Sequence, residues 1–201
     1  MPSYQYQQTH IKSCGASSLL CAAMELGSTE IPATPQWPLW TNEIQLTTNK
    51  TCEMAIYSVT SGGGGLPPGP DAGYSMPSNI YEAARPLGRS AVAYVPNSLT
   101  GAALSTLYSN DVKRAKMLGM RVESSAPPHP TDNQRLIRVL RVGDDAWYKP
   151  ATGLHYVMHR PDDSVMDPAD GVDYGSLKHL IDHQKSLGMS YVDSGIGLMI
   201  Y

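Results

Sequence analysis

Apolar and polar positions alternate with helical spacing directly after Cys14. The inward positions of that run are Ala16, Leu19, Leu20, Ala23 and Met24. Gly27 follows the run, as a C-terminal cap does. The pattern therefore predicts a helix over residues 14–26 with Cys14 in its first turn. Cys21 lies on the same face two turns deeper, and we interpret it as a small core residue.

Further helices are predicted along the chain by the same spacing. They cover about 50–59, a segment that ends near Gly88, 99–118 with a break near 109–110, and 176–186. The helix that ends near Gly88 begins with a capping box formed by Asn79 and Glu82, or with Ser78 as an alternative cap.

Alternation with a period of two predicts strands mainly in the last third of the chain. The predicted strands are 91–95, 154–159, 165–168 and 197–201, whereas 136–142 fits a helix or a strand. Residues 154–168 form a hairpin whose turn is centred near Pro161. Residues 28–42 are interpreted as an ordered loop, since Trp37 and Trp40 favour burial.

Residues 61–70 are rich in glycine and proline and predict a flexible surface loop, with a flap over the active site as the alternative. The segment lacks the lysine and serine or threonine that end a phosphate-binding loop. No repeat or change of composition divides the chain, so we expect one α+β domain over 1–201. Its mainly helical half is 1–120 and its mainly β half is 121–201.

Charge and hydropathy exclude several classes of protein. Charged residues make up 16% of the 201 residues and the net charge is −3, with no basic run that would bind nucleic acid. No apolar stretch approaches the ~20 residues of a membrane span. The N-terminus lacks a Sec-type signal peptide, and no propeptide precedes the motif around Cys14. We therefore expect a cytoplasmic protein with reduced thiols, or one exported without a Sec signal, into a host or target cell for example.

Cys14 is the candidate nucleophile. The unpaired N–H groups at the start of a helix favour thiolate over thiol. Gly15 leaves room for a substrate backbone to approach the sulfur, and Gln8 lies close enough before Cys14 for its amide to donate to an oxyanion. The alternative is that Cys14 only packs in the core.

His155 is the candidate base, because an imidazole can take the thiol proton and return it to a leaving group. The hairpin places Asp167 opposite or nearly opposite His155, where its carboxylate can orient the ring. His159 is the competing base. Asp162 and Asp163 compete with Asp167 but fit a turn better.

A metal site is a weak alternative. The six histidines are scattered, and no CxxC or HExxH spacing occurs. His129 lies in a proline-rich loop and is interpreted as a solvated surface residue. We expect no cofactor and no metal.

These motifs resemble those of the papain-like cysteine peptidase superfamily. The resemblance rests on Gln8 with Ser13-Cys14-Gly15, on Gly153-Leu154-His155-Tyr156-Val157 and on Val165-Met166-Asp167-Pro168. His155 follows Cys14 by 141 positions, within the range of papain-type enzymes. The closest motifs are those of bacterial leader peptidases and of effector cysteine proteases and deamidases.

The resemblance implies a helical half that carries Cys14, packed on an antiparallel sheet or half-barrel that carries His155 and Asp167, with the cleft between them. Two departures from papain itself are the missing aromatic residue after the cysteine and Asp167 in place of asparagine. Both fit the bacterial branches. Residues 28–130 match no motif, so the resemblance does not identify the substrate.

The leading hypothesis is a peptidase that hydrolyses amide bonds of a peptide or protein substrate. A glutamine deamidase or an acyl or amine transferase would use the same residues. A catalytically inactive binding module is the alternative from another class. Fast alkylation of Cys14 relative to Cys21 and Cys52 distinguishes an enzyme from such a module.

Overall fold

The computed structural model describes residues 3–96, 109–144 and 153–201, which form an α+β fold. The helices are α1 (Cys14–Glu25), α2 (Lys50–Thr60), α3 (Pro77–Ala84), α4 (109–117 within the described part) and α5 (Leu177–Ser186). A short 3-10 helix spans Pro38–Trp40. No helix in these three ranges combines the length and the apolar character needed to cross a membrane.

Within the described residues, nine strands form two sheets. They are β1 (Glu30–Ile31), β2 (Ile44–Gln45), β3 (Ala91–Tyr94), β4 (Arg121–Glu123), β5 (Arg135–Asp144), β6 (Gly153–His159), β7 (Val165–Asp167), β8 (Val172–Tyr174) and β9 (Met189–Ile200). Strands β1 and β2 form a small ribbon, and the other seven form a sheet in the order β4-β3-β9-β5-β6-β7-β8. Every pair in the larger sheet is antiparallel except β3 with β4.

Helix α1 is the centre of the molecule. It packs against α2 and α3 on one side and against β5 and β6 on the other. All of its residues except Met24 are therefore buried, although the sequence predicted only one buried stripe. The sheet continues on its far face into a second cluster, in which Val157 and Leu140 pack near Leu180 of α5.

A buried ion-pair network holds the C-terminal end of α1 against the sheet. Glu25 pairs through Oε2 with Nε of Arg135 at 2.5 Å and through Oε1 with Nε of Arg160 at 2.8 Å. Arg160 also pairs with Asp173 and donates to the carbonyl oxygen of Tyr4. Because these side chains are buried, removing one partner leaves an uncompensated charge, which costs about 3–5 kcal/mol. The network thus sets where the β6–β7 hairpin lies relative to α1.

The predicted helix over 14–26 is confirmed, and it ends as expected. Gly27 has a φ of +93°, and its N–H donates to the carbonyl oxygen of Met24. The helices predicted near 50 and 176 are confirmed, with Asn49 and Ser176 as their side-chain caps. Of the helix predicted over 99–118, residues 99–108 lie outside the described residues and 109–117 are helical.

The capping box predicted for α3 is wrong. The helix begins earlier, with Pro77 in its first turn, and Met76 is the N-cap residue without a side-chain cap. The N–H and the hydroxyl of Ser78 instead donate to the carboxylate of Asp111 in α4. A contact between helices has taken the place of the local cap.

The strands 91–95, 154–159, 165–168 and 197–201 are confirmed. The ambiguous segment 136–142 lies within β5, and the last strand extends back to Met189. Strand β3 joins the sheet of the C-terminal half and pairs with β9. The sheet therefore draws one strand from the part of the chain that the sequence predicted as mainly helical.

The loop around the two tryptophans is ordered, as predicted. Trp40 is fully buried, and its Nε1 donates to the carbonyl oxygen of Ala55 at 2.8 Å. The Gly/Pro-rich segment contacts this loop, since a Cβ on Gly65 would lie 2.4 Å from Cβ of Trp37. Gly65 is therefore packed, whereas most other residues of 61–70 are exposed, as expected of a surface loop. The flexibility of this segment stays a prediction.

Candidate active site

Cys14 is the first residue of α1 and is almost fully buried. Ser13 is the N-cap residue, but its hydroxyl lies within hydrogen-bond distance of Glu53 and of the carbonyl oxygen of His10 and does not cap the helix. The first-turn N–H groups therefore remain available beside the sulfur, together with the positive end of the helix dipole.

The role predicted for Gly15 is wrong. A Cβ at this position would lie 2.5 Å from Cβ of Ser75 and 3.2 Å from Cδ1 of Ile80. Ser75 is in turn fixed by the hydroxyl of Tyr156, which donates to its carbonyl oxygen at 2.8 Å. The missing side chain allows close packing of the protein against itself and does not open a path for substrate.

His155 and Asp167 lie together, as the hairpin predicted. The register pairs His159 with Val165 and Met158 with Met166, so Asp167 follows opposite Val157. His155 is therefore a diagonal neighbour of Asp167, and its Nε2 lies 2.5 Å from Oδ1 of that fully buried carboxylate.

The imidazole of His155 also contacts Cys14. Burial alone would lower the pKa of His155. Hydrogen bonds to Asp167 and to Cys14, and the charges of both groups, outweigh it and raise the pKa from 6.5 to about 10. Because Nε2 faces Asp167, Nδ1 is the nitrogen left for the thiol. The structure thus brings the predicted nucleophile, base and orienting carboxylate together.

Gln8 lies beside both parts of this site. Its backbone N–H donates to the carbonyl oxygen of Pro168, the residue after Asp167, at 2.8 Å. Its side-chain Nε2 donates at 3.0 Å to the carbonyl oxygen of His10, which also accepts from the N–H of Ser13. An amide nitrogen carries two N–H groups, so one remains for a further acceptor.

His159 belongs to a different cluster. Its Nδ1 accepts from Nε of Arg138 at 3.2 Å, and its Nε2 lies 3.5 Å from Oδ1 of Asp163. Burial, and then Arg138 and His129, lower the pKa of His159. Asp163 has a φ of +68° and lies with Asp162 in the β6–β7 turn, as predicted. These contacts do not favour His159 as the base.

His129 is exposed as predicted, but it has a partner, since its Nε2 lies 2.9 Å from Oδ1 of Asp163. With His159 these residues form a group whose ligand atoms lie within 4.8 Å of one another. The hydrogen bond from Arg138 leaves the proton of His159 on Nε2, the nitrogen that would face a metal. The cluster is therefore explained by hydrogen bonding.

Three residues near the site carry no signal in the sequence. The ring of Tyr191 lies 5.6 Å from that of His155, and burial raises the pKa of its hydroxyl. Tyr57 packs on His10, and burial followed by the charge of Cys14 raises the pKa of Tyr57 to about 12. Glu53 accepts hydrogen bonds from the segment before Cys14. Only the three-dimensional packing brings them to the site.

A cysteine at the start of a buried helix, facing a histidine that an aspartate holds, is the arrangement used by thiol-dependent hydrolases. The sequence model of the family described as invasion plasmid antigen J, cysteine protease, matches residues 6–201. The cysteine protease IpaJ of Shigella flexneri is 33% identical over 208 residues, which cover 96% of this chain and 76% of that protein. No solved structure matches the chain.

The chain therefore belongs to the invasion plasmid antigen J cysteine protease family. It is a cysteine peptidase, and the hypothesis of an enzyme is confirmed.

Proposed function

We propose that the chain is a papain-like peptidase in which Cys14, His155 and Asp167 act as a triad on protein substrates. The observation that carries this proposal is the position of His155, which hydrogen-bonds to Asp167 through Nε2 and lies close enough to Cys14 for the cysteine to raise the pKa of the ring. The buried α1 between a helical layer and a mainly antiparallel sheet supports the papain-like arrangement.

Each residue has a distinct part in the proposed reaction. The thiolate of Cys14 attacks the carbonyl carbon, and the oxygen becomes an oxyanion that accepts from the N–H of Cys14 and from Nε2 of Gln8. The imidazolium of His155 gives its proton to the leaving nitrogen, and the amine departs. The acyl group remains bonded to Cys14 as a thioester. His155 then takes a proton from water, and the water oxygen attacks the thioester carbon. Collapse of this second tetrahedral intermediate releases the acid and regenerates the thiolate of Cys14 beside the imidazolium of His155.

Asp167 keeps the imidazole in place and charged during these steps. The raised pKa of His155 is the expected result of a negative charge on either side of the ring. Without the carboxylate, the ring would lose both its fixed orientation and much of its preference for the protonated form.

Mass spectrometry of a peptide library incubated with the enzyme tests the proposal. Wild-type enzyme should generate new peptide termini, and the variant Cys14→Ala should generate none. A glutamine converted to glutamate would identify a deamidase, and incorporation of added methylamine would identify a transferase. Either result without new termini overturns the peptidase assignment.

A further inference from the structure

Glu53 is a carboxylate in an unusual place. It lies in the first turn of α2 and is fully buried, although ionisable side chains are rarely buried without a partner of opposite charge. Among the ion pairs formed by the described residues, none includes Glu53.

All side-chain hydrogen bonds of Glu53 run to the segment just before Cys14. Its Oε1 accepts from the N–H of Thr9 at 2.9 Å, from the N–H of His10 at 3.3 Å and from the hydroxyl of Ser13. Its Oε2 accepts from Oγ1 of Thr9 at 2.5 Å and from the hydroxyl of Tyr6 at 2.7 Å. The two backbone N–H groups are donors and the three hydroxyls can donate, so the side chain of Glu53 can accept from all of them.

These bonds fix the part of the chain that carries the proposed oxyanion donors. Glu53 holds the N–H of His10, and the carbonyl oxygen of His10 accepts from Nε2 of Gln8 and from the N–H of Ser13. The backbone N–H of Cys14 follows directly. One carboxylate from α2 therefore shapes the loop from Tyr6 to Ser13, on which both donors depend.

We propose that Glu53 is a positioning residue for the oxyanion site. It makes no contact with Cys14 or His155 among the described hydrogen bonds, so it acts through the loop and not on the nucleophile. A glutamine in its place would put an N–H₂ group against these donors, and the loop would shift. The inference rests on the proposed function, since it assigns the loop to oxyanion stabilisation.

Two reagents that react with the thiol of Cys14 distinguish an effect on the oxyanion donors from an effect on the nucleophile. Iodoacetamide alkylates a thiolate by direct displacement and forms no oxyanion. p-Nitrophenyl acetate acylates the thiol through a tetrahedral oxyanion, so its rate depends on the donors. Each second-order rate constant is normalised to the concentration of reactive Cys14. The ratio of acylation to alkylation therefore measures oxyanion stabilisation without the natural substrate.

For Glu53→Gln we expect acylation to slow about 10²-fold, the scale of a misplacement of about 1 Å, while alkylation stays within about twofold. Glu53→Asp, which keeps the acceptor, should recover part of the loss. Thr9→Val removes one donor at an exposed position without risk to the core, and it should lower acylation alone, by roughly 3–10-fold. Glu82→Gln, at an exposed ion pair with Arg114, is the matched control and should change neither rate.

The positioning role of Glu53 would be overturned if acylation and alkylation slowed equally in Glu53→Gln and in Thr9→Val. It would also be overturned if neither rate changed in these variants. If Glu53→Gln fails to fold, Thr9→Val decides alone. Equal acylation of wild-type protein and Cys14→Ala would instead overturn the proposed function. The two failures are therefore distinguishable.

Discussion

Nε2 of His155 lies 2.5 Å from Oδ1 of Asp167, although the two residues are diagonal and not paired across the hairpin. The same Oδ1 accepts from the N–H of Ala169 at 2.9 Å, so the turn after β7 holds the carboxylate in place. The proposed base, His155, and its orienting carboxylate, Asp167, thus lie on one hairpin, whereas the nucleophile Cys14 lies on α1.

Replacing Asp167 should move the alkaline limit of activity. The pKa of His155 is raised to about 10, so the imidazolium that protonates the leaving group should persist until that pH in the wild type. In Asp167→Asn we expect the basic limb to move down toward the ordinary value of 6.5. The pH profile of kcat/KM measures this, and an unmoved basic limb would contradict the orienting role.

The same shift has a consequence for stability. A pKa raised on folding stabilises the folded protein fully below pH 6.5, and this contribution is lost as the pH rises through about 10. The urea midpoint of the wild type should therefore fall over this range more than that of His155→Gln. Equal pH dependence of the two midpoints would show that His155 is not charged in the folded protein.

Alkylation at low pH should distinguish His155 from His159. A thiolate held by an imidazolium reacts with iodoacetamide well below the range in which a free thiol ionises. His155→Ala should remove this reactivity of Cys14, whereas His159→Ala should keep it, because His159 contacts Arg138 and Asp163. The opposite outcome would make His159 the base.

Cys14→Ala should abolish activity and leave the fold intact, whereas Cys21→Ala should preserve activity and lower stability modestly. Cys21 is fully buried against Met158 and Met166, and burial raises the pKa of its thiol, so it is a core residue. We expect Cys21→Ala to lower the free energy of unfolding by about 1 kcal/mol with turnover unchanged. Turnover assays and urea titrations of both variants check this, and residual turnover in Cys14→Ala would exclude the nucleophile assignment.

Gln8→Ala should reduce kcat by roughly 10²–10³-fold, the loss seen when one oxyanion donor is removed. KM should change much less, because the donor acts mainly in the transition state. Steady-state kinetics on a cleavable peptide from the library gives both constants. An unchanged kcat with a raised KM would assign Gln8 to substrate binding.

Gly15→Ala should destabilise the protein by roughly 1–3 kcal/mol, the usual range for overpacking a core. The added methyl group would meet Cβ of Ser75, which is held between Thr60 and Tyr156. Gly69→Ala is the control, since a Cβ there has no neighbour within 4 Å. Thermal unfolding of both variants should show a lower midpoint only for Gly15→Ala.

The elements with strong local signals were predictable. Gly27 ends its helix by a bond within a few residues, and the helices near 50 and 176 follow from periodicity alone, so local sequence is sufficient for them. The period-two pattern placed His155 and Asp167 on one hairpin for the same reason. These predictions depend only on chain geometry over short distances.

The predictions that were wrong concern residues that pack against parts of the chain distant in sequence. Ser78 bonds to Asp111 and Gly15 packs on Ser75, and neither of these neighbours can be predicted from local composition. Glu53 was missed because an acidic residue in the first turn of a helix usually faces solvent. Its true surroundings arise only when α2 lies beside the loop before Cys14.

Helix α1 is buried between the helices and the sheet, and it completes the hydrophobic core of both. Neither half of the chain can therefore bury its apolar surface without the segment that carries the nucleophile. Denaturation should be cooperative, with reactivity of Cys14 and secondary structure lost at the same urea concentration. A proteolytic cut between the halves would not release an autonomous folding unit, because each fragment would lack one wall of the shared core.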